Sequence, residues 1–257
     1  EENLSVTALN NYIDCPLKYL FRNLIQLPDV YTSSLRYGET VHRALETFFT
    51  DSVVAKKVLA KENLLNAYKQ CMENSGFFGK EYDEFHTKGR CSLGMYYDYY
   101  NSDWSVDVLL EEYIKRSFVV SDAELTLSGK IDKIEFLDEF GAGRIRVIDY
   151  KTGKVFSKKS TKAQKEALER QIQFYHLLLE GYKDGEVTIA DAILDFVEPT
   201  DTGEFEKKTL TVTEADLDKL KKEIEKMVEE VTTGNFITKG CSKKDCEACI
   251  FWSTLKR

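Results

Sequence analysis

Over residues 106–150 the hydrophobic period of the chain switches from three-and-four to two, and that switch most constrains what it can fold into. Val106–Tyr113, Leu125–Leu137 and Arg144–Tyr150 alternate apolar with polar residues and are rich in β-branched side chains, the pattern of half-buried strands. The stretch from Glu139 to Gly143 supplies a turn between the second and the third. On either side the spacing is helical. Upstream, Thr7 can cap a helix carrying Leu9, Tyr12, Ile13, Leu17, Leu20, Phe21 and Leu24, with a kink or break after Cys15 imposed by Pro16. Three more helices are expected near 35–50, 54–73 and 83–102. Downstream, a long amphipathic helix over 160–182, strands near 187–197 and 205–212, and a helix from Thr213 to Val231 complete the pattern. Helices flanking a central mixed β-sheet, the α/β class, are the packing solution for such an order.

Composition narrows the setting. With 42% apolar and 31% charged residues, the chain is too apolar for disorder and too charged for a membrane protein. Nothing approaches the length of a spanning helix, and Glu1-Glu2-Asn3-Leu4 is not a signal peptide, so a cytoplasmic protein with no membrane partner is expected. The start without Met suggests a domain of a larger chain. No Gly-x4-Gly-Lys-Ser/Thr loop is present, so it carries no ATPase of its own. A net charge of −8 argues against indiscriminate binding to nucleic acid. Yet Lys151–Lys165 holds six lysines and no acid, either a solvated loop or a track for phosphates.

The densest chemistry lies at the strand ends. Asp149 and Lys151, within Ile148-Asp-Tyr-Lys-Thr-Gly153, are two apart and leave the same face of a strand. Alone, such a pair is usually a salt bridge. Asp132, closing Gly129-Lys-Ile-Asp132, brings a second carboxylate to a neighbouring strand. Two carboxylates converging at one edge are costly unless a cation sits between them, and Mg²⁺ is the hard-ligand expectation. An imidazole would make Mn²⁺ equally suitable. His42, one helical turn after Gly38, is available, although a lone histidine on a helix is more often structural. Gln171 and Tyr175, at i and i+4, share a helix face.

Six cysteines in a cytoplasmic setting suggest thiols or metal ligands rather than disulfides. Cys15 stands far upstream of Cys241-x4-Cys246-x2-Cys249, together a four-thiol set open to structural zinc, redox chemistry or coincidence. Cys71 and Cys91 fall in helical stretches as apolar fillers. Tyr96, Tyr97, Tyr99 and Tyr100 suit stacking on unpaired bases, but helix packing is the favoured reading. Trp104 and Trp252 are expected in the core or as caps.

These pieces, in this order, resemble the RecB-like branch of the PD-(D/E)XK nucleases, which includes the nuclease domains of RecB and AddB and the CRISPR-associated single-strand exonucleases. The match runs from the opening Leu4-Ser-x-Thr-x-Leu9-x-x-Tyr12-x-x-Cys15-Pro16-x-Lys18-Tyr19-x-Phe21 to about residue 250. The resemblance implies a single domain over 1–257: a helical part at 1–104, a restriction-endonuclease-like core at 105–232 and a Cys-rich tail at 233–257 packed back near Cys15. It implies that His42, Asp132, Asp149 and the Tyr150 carbonyl hold Mg²⁺ or Mn²⁺, with Lys151 orienting the attacking water and Gln171 and Tyr175 positioning the scissile backbone or the lysine. An acid in the preceding strand is also usual; Glu112 is chosen, although the adjacent Glu111 is not separable from it by sequence, and a buried salt bridge explains Glu112 equally well. The cysteine set implies a 4Fe-4S cluster, with zinc as the alternative; Cys241 precedes the Cys246–Cys249 pair where the family places its third C-terminal cysteine after it. The implied function is exonucleolytic hydrolysis of DNA, on single strands or ends, in repair and recombination, with a helicase domain or subunit as partner. The competing implication is a catalytically silent fold that grips DNA or a helicase.

Overall fold

A computed structural model of the chain describes residues 3–120, 123–153, 161–238 and 240–255. Helix α1 (Val6–Asp14) is capped by Ser5, whose Oγ accepts from the Ala8 amide, so it starts just ahead of the Thr7 cap expected from sequence. Cys15 is extended and ends it; Pro16, which lacks the N–H that an interior position would need, opens α2 (Pro16–Tyr19) and a π turn over Leu20–Leu24. The expected break therefore falls where Pro16 places it. Thr32 caps α3 (Ser33–Val54), followed by α4 (Lys61–Glu73) and α5 (Gly79–Tyr100). Where α5 crosses α4, a Cβ on Gly89 would lie 2.1 Å from the Tyr68 hydroxyl, so only glycine fits.

The strands are β1 (Asn3–Leu4), β2 (Val108–Val120), β3 (Ala123–Phe136), β4 (Gly143–Lys151), β5 (Val187–Phe196) and β6 (Lys207–Leu210). Helix α6 (Lys162–Leu179) lies between β4 and β5, while α7 (Glu214–Thr232) and α8 (Glu247–Leu255) follow β6. Capping boxes at Thr161/Gln164 and Thr213/Asp216 start α6 and α7. The sheet is mixed, ordered β1-β3-β4-β5-β6, with β2 on the other edge of β3; β1–β3 and β4–β5 run parallel and the remaining pairs antiparallel. Because β4 pairs with β3 only from Lys133 to Phe136, the β2–β3 hairpin continues well beyond β4 as an arm, edged by the short β1 at Thr126 and Leu127.

Two cores sandwich the sheet. Residues of α1, α2, α6 and α7 pack with Ile131, Ile134, Ile145 and Val147 on one face. On the other, α3, α4 and α5 pack with Ile148 and Tyr150. Tyr96 and Tyr97 belong to this second core, clustered with Phe48 and Trp104, which settles them as packing residues; Tyr99 is exposed at its edge. Cys71 is buried as expected, but Cys91 is exposed on α5 beside Met95. The second core also encloses Lys133, 1% exposed, with its ammonium 3.7 Å from Glu135 and 4.0 Å from the centre of the Phe49 ring. Burial pushes that lysine down to about 8, against the pull of Glu135 and Asp195. Among the described residues, no helix is long and apolar enough to cross a membrane.

Candidate active site

Alternation along β4 sends Asp149 and Lys151 to the α6 side while Ile148 and Tyr150 enter the opposite core. Asp149 Oδ1 accepts hydrogen bonds from Gln171 Nε2 and Tyr175 Oη, each 2.7 Å long. Lys151 Nζ donates to Gln171 Oε1 at 2.9 Å and stands 2.5 Å from Asp149 Oδ2. Gln171 thus ties acid to amine, one turn from Tyr175 on α6, and the i,i+4 spacing puts both on the strand end. Asp149 Oδ2 is buried beside the ammonium but accepts no aligned hydrogen bond. Burial raises the Asp149 pKa, opposed by Lys151 and reinforced by Asp132.

Asp132 sits where β3 and β4 part. The last ladder pair is Lys133–Ile148; beyond it the Tyr150 amide donates instead to Asp132 Oδ2, 2.8 Å away. On α3, His42 brings Nδ1 to 3.4 Å from the same oxygen, its ring edge-on to Tyr150. Burial alone would lower the imidazole pKa, but Asp132 and Asp149 outweigh it and leave it raised. Gly38, one turn earlier, lets α3 lie close to the end of β4: a Cβ there would be 3.0 Å from Thr152 Oγ1.

Glu112 does not join this group. Its carboxylate accepts from the Tyr182 hydroxyl at 2.8 Å, whereas Glu111 faces Asp132, between the pairs Leu110–Lys133 and Glu112–Ile131. The reason is local: Glu111 has φ +51°, a left-handed conformation inside a strand, which shifts the alternation. Leu109 and Ile114 pack toward α6 while Leu110 packs toward α3. Nothing in the residue types announces that flip. His42, Glu111 and Asp132 each offer a ligand atom within 4.8 Å of the others. Burial raises the Glu111 pKa, opposed by the Lys130 ammonium that contacts it.

The cleft above these groups, about 480 Å³, is also lined by Arg43, Glu46, Tyr150 and Thr152. Glu46 escaped the sequence reading, although at i+4 from His42 it shares that residue's face. Of the lysine run, Lys162 pairs with Glu166, while Lys154, Lys158 and Lys159 lie outside the described residues. One imidazole and two carboxylates, with the Asp149 carboxylate nearby, form an N/O donor set that fits Mg²⁺ or Mn²⁺.

A second donor set lies away from the cleft. Cys15, Cys241, Cys246 and Cys249 place their sulfurs within 4.8 Å of one another, with Cys249 Sγ 3.6 Å from Cys15 and 3.8 Å from Cys241. Burial raises the Cys15 thiol; Cys246 is lowered because hydrogen bonds from the Cys249 amide and neighbouring thiols outweigh its burial. Four thiols fit a metal centre of the zinc or iron–sulfur kind. Phe21 against Phe251 and Trp252 seats α8 on the segment that follows Cys15.

An acid–lysine pair on one strand, an acid on its neighbour and a histidine on a flanking helix define a nuclease of the restriction-endonuclease-like type, and the comparisons agree. Residues 3–254 match the PD-(D/E)XK nuclease superfamily, and the chain belongs to that superfamily. It is similar to a subunit of the ATP-dependent helicase/deoxyribonuclease of Carboxydothermus hydrogenoformans, 25% identical over 179 residues. That alignment spans 60% of this chain but only 16% of the larger relative. In fold it is similar to the crystal structure of a Eubacterium rectale protein provisionally assigned as an exonuclease: TM-score 0.60 at 11% identity, over 97% of this chain and 88% of that one.

Proposed function

We propose that this nuclease-superfamily chain is a divalent-metal-dependent deoxyribonuclease acting on single strands or DNA ends. The observation that carries the reading is the convergence of His42, Glu111 and Asp132 beside the Asp149–Lys151–Gln171 hydrogen-bonded set. His42, Glu111, Asp132 and Asp149, with the Tyr150 carbonyl, would hold Mg²⁺ or Mn²⁺. When bound, that cation lowers the pKa of water and neutralises charge building on the phosphate. Lys151, held by Gln171, orients the attacking water and steadies the anionic phosphate oxygens. Tyr175 and Gln171 fix Asp149 through its first oxygen, with the second beside the Lys151 ammonium. The intact acid–lysine pair favours this over a silent binding module.

A single domain over 1–257, an exonucleolytic mode, a role in repair and recombination, and a helicase partner extend the reading; the last rests on the helicase/deoxyribonuclease name of the relative. The cysteine set is proposed to hold a 4Fe-4S cluster, with zinc as the alternative. The deciding assay uses end-labelled single-stranded DNA with Mg²⁺ or Mn²⁺. Degradation that stops with EDTA and in Asp149→Asn supports the reading. Tight binding without cutting by the metal-loaded wild type marks the silent module.

A further inference from the structure

The β2–β3 arm continues the site face beyond the ligands. Next to the Glu111/Asp132 rung stands Tyr113 directly opposite Lys130, then Lys115 opposite Ser128. The shifted alternation at Glu111 puts these side chains on the same face as the cleft, since Glu112 and Ile114 on the other parity turn toward Tyr182 and the α6 core. Tyr113 is 56% exposed, and the Lys115 ammonium stands 5.7 Å from the centre of its ring. Lys130 contacts Glu111 and also lines the cleft. Two rungs further on the sign reverses: Ser117 donates to Glu124 Oε1 at 2.5 Å, so acid closes the patch at its far end.

An exposed aromatic flanked by two ammonium groups is the chemistry that receives an unpaired base and its phosphates, in a chain whose net charge is −8. Successive rungs on one strand face are about 7 Å apart, a step commensurate with neighbouring phosphates along a polynucleotide, while stacking on the exposed ring needs a base that is not paired. Resting on the nuclease reading above, we propose that this face of the β2–β3 arm is a single-strand DNA subsite, with Tyr113 stacking on the base next to the scissile phosphate and Lys130 and Lys115 holding flanking phosphates. Tyr113 is then a positioning residue that selects unpaired over paired strands.

The test is fluorescence anisotropy of labelled oligothymidylate and of a blunt duplex, with Mg²⁺, in the hydrolysis-silent Asp149→Asn background. Tyr113→Ala is expected to weaken oligothymidylate binding about tenfold, Tyr113→Phe to restore it, and duplex binding to change far less. Lys115→Ala is expected to lessen the slope of log affinity against log salt by about 0.7, one phosphate contact on a single strand. Oligothymidylate bound equally well by Tyr113→Ala, or a loss equal for duplex and single strand, overturns the subsite. Binding does not depend on cutting. A wild type that hydrolyses no DNA sinks the nuclease reading alone, whereas hydrolysis by wild type with unaltered Tyr113→Ala binding sinks the subsite alone.

Discussion

Asp149 and Lys151 differ in what their neighbours let them do. The acid is enclosed and held by two donors through one oxygen, with the Lys151 ammonium beside the other; the amine, less enclosed, is held by the Gln171 side-chain oxygen and by that ion pair. Lys151→Ala is therefore expected to reduce kcat on single-stranded DNA by about 10²–10⁴ and, by leaving the buried Asp149 without its counterion, to lower the thermal midpoint as well. Gln171→Ala, which leaves acid and amine in place but unoriented, should cost about 10–100-fold. The adjacent glutamates give a sharper comparison. Glu111→Gln should remove most metal-dependent activity, measured as a rise in the Mn²⁺ concentration for half-maximal rate, whereas Glu112→Gln should leave that concentration unaltered, because its carboxylate is engaged with Tyr182 on the far side of the sheet.

At the scale of elements, most of the site is legible in the sequence. The strand bearing Asp149 and Lys151, the α6 pair Gln171 and Tyr175, and the helix of His42 all lie where period and spacing place them, because each follows from regular geometry. The miss at Glu112 has the opposite cause: a single left-handed residue inverts the alternation of β2, and glutamate carries no preference that marks it. Helix α3 runs longer than the 35–50 expected because the residues flanking that stretch still bury Ser52 and cap at Thr32, neither an apolar-period signal. The buried Lys133 in β3 also lacks a sequence signature. Its folded pKa of about 8 lies below the ordinary lysine value near 10.4, so between those pH values the unfolded chain binds more protons and folding stability gains as pH rises. Relative to Lys133→Met, wild type should gain about 2–3 kcal/mol in urea unfolding from pH 7 to 10. On the helical side, Gly89→Ala should cost about 1–3 kcal/mol, since the added methyl must displace the buried Tyr68 ring.

For the whole molecule, the four thiols join the start of the chain to its tail across 234 positions, outside the sheet and away from the cleft. Metal that binds only the folded form should stabilise it by about 3 kcal/mol at a hundredfold excess over Kd. Chelation or Cys249→Ser should then expose α8 to protease while amide exchange in β3 and β4 stays slow. A visible band bleached by dithionite in anaerobically prepared protein would identify iron–sulfur; a colourless protein with one zinc would identify the alternative. The close seating of Gly38 on Thr152 has a bearing on the two layers together. The imidazole rides on one slab and the carboxylates on the other, so the gauge between slabs is set by a hydrogen atom where any other residue has carbon. If Thr152 does not yield, Gly38→Ala is expected to widen it by a few tenths of an ångström and so detune the whole centre, read as a higher Mn²⁺ concentration for half-maximal rate, without altering a single group that performs its chemistry.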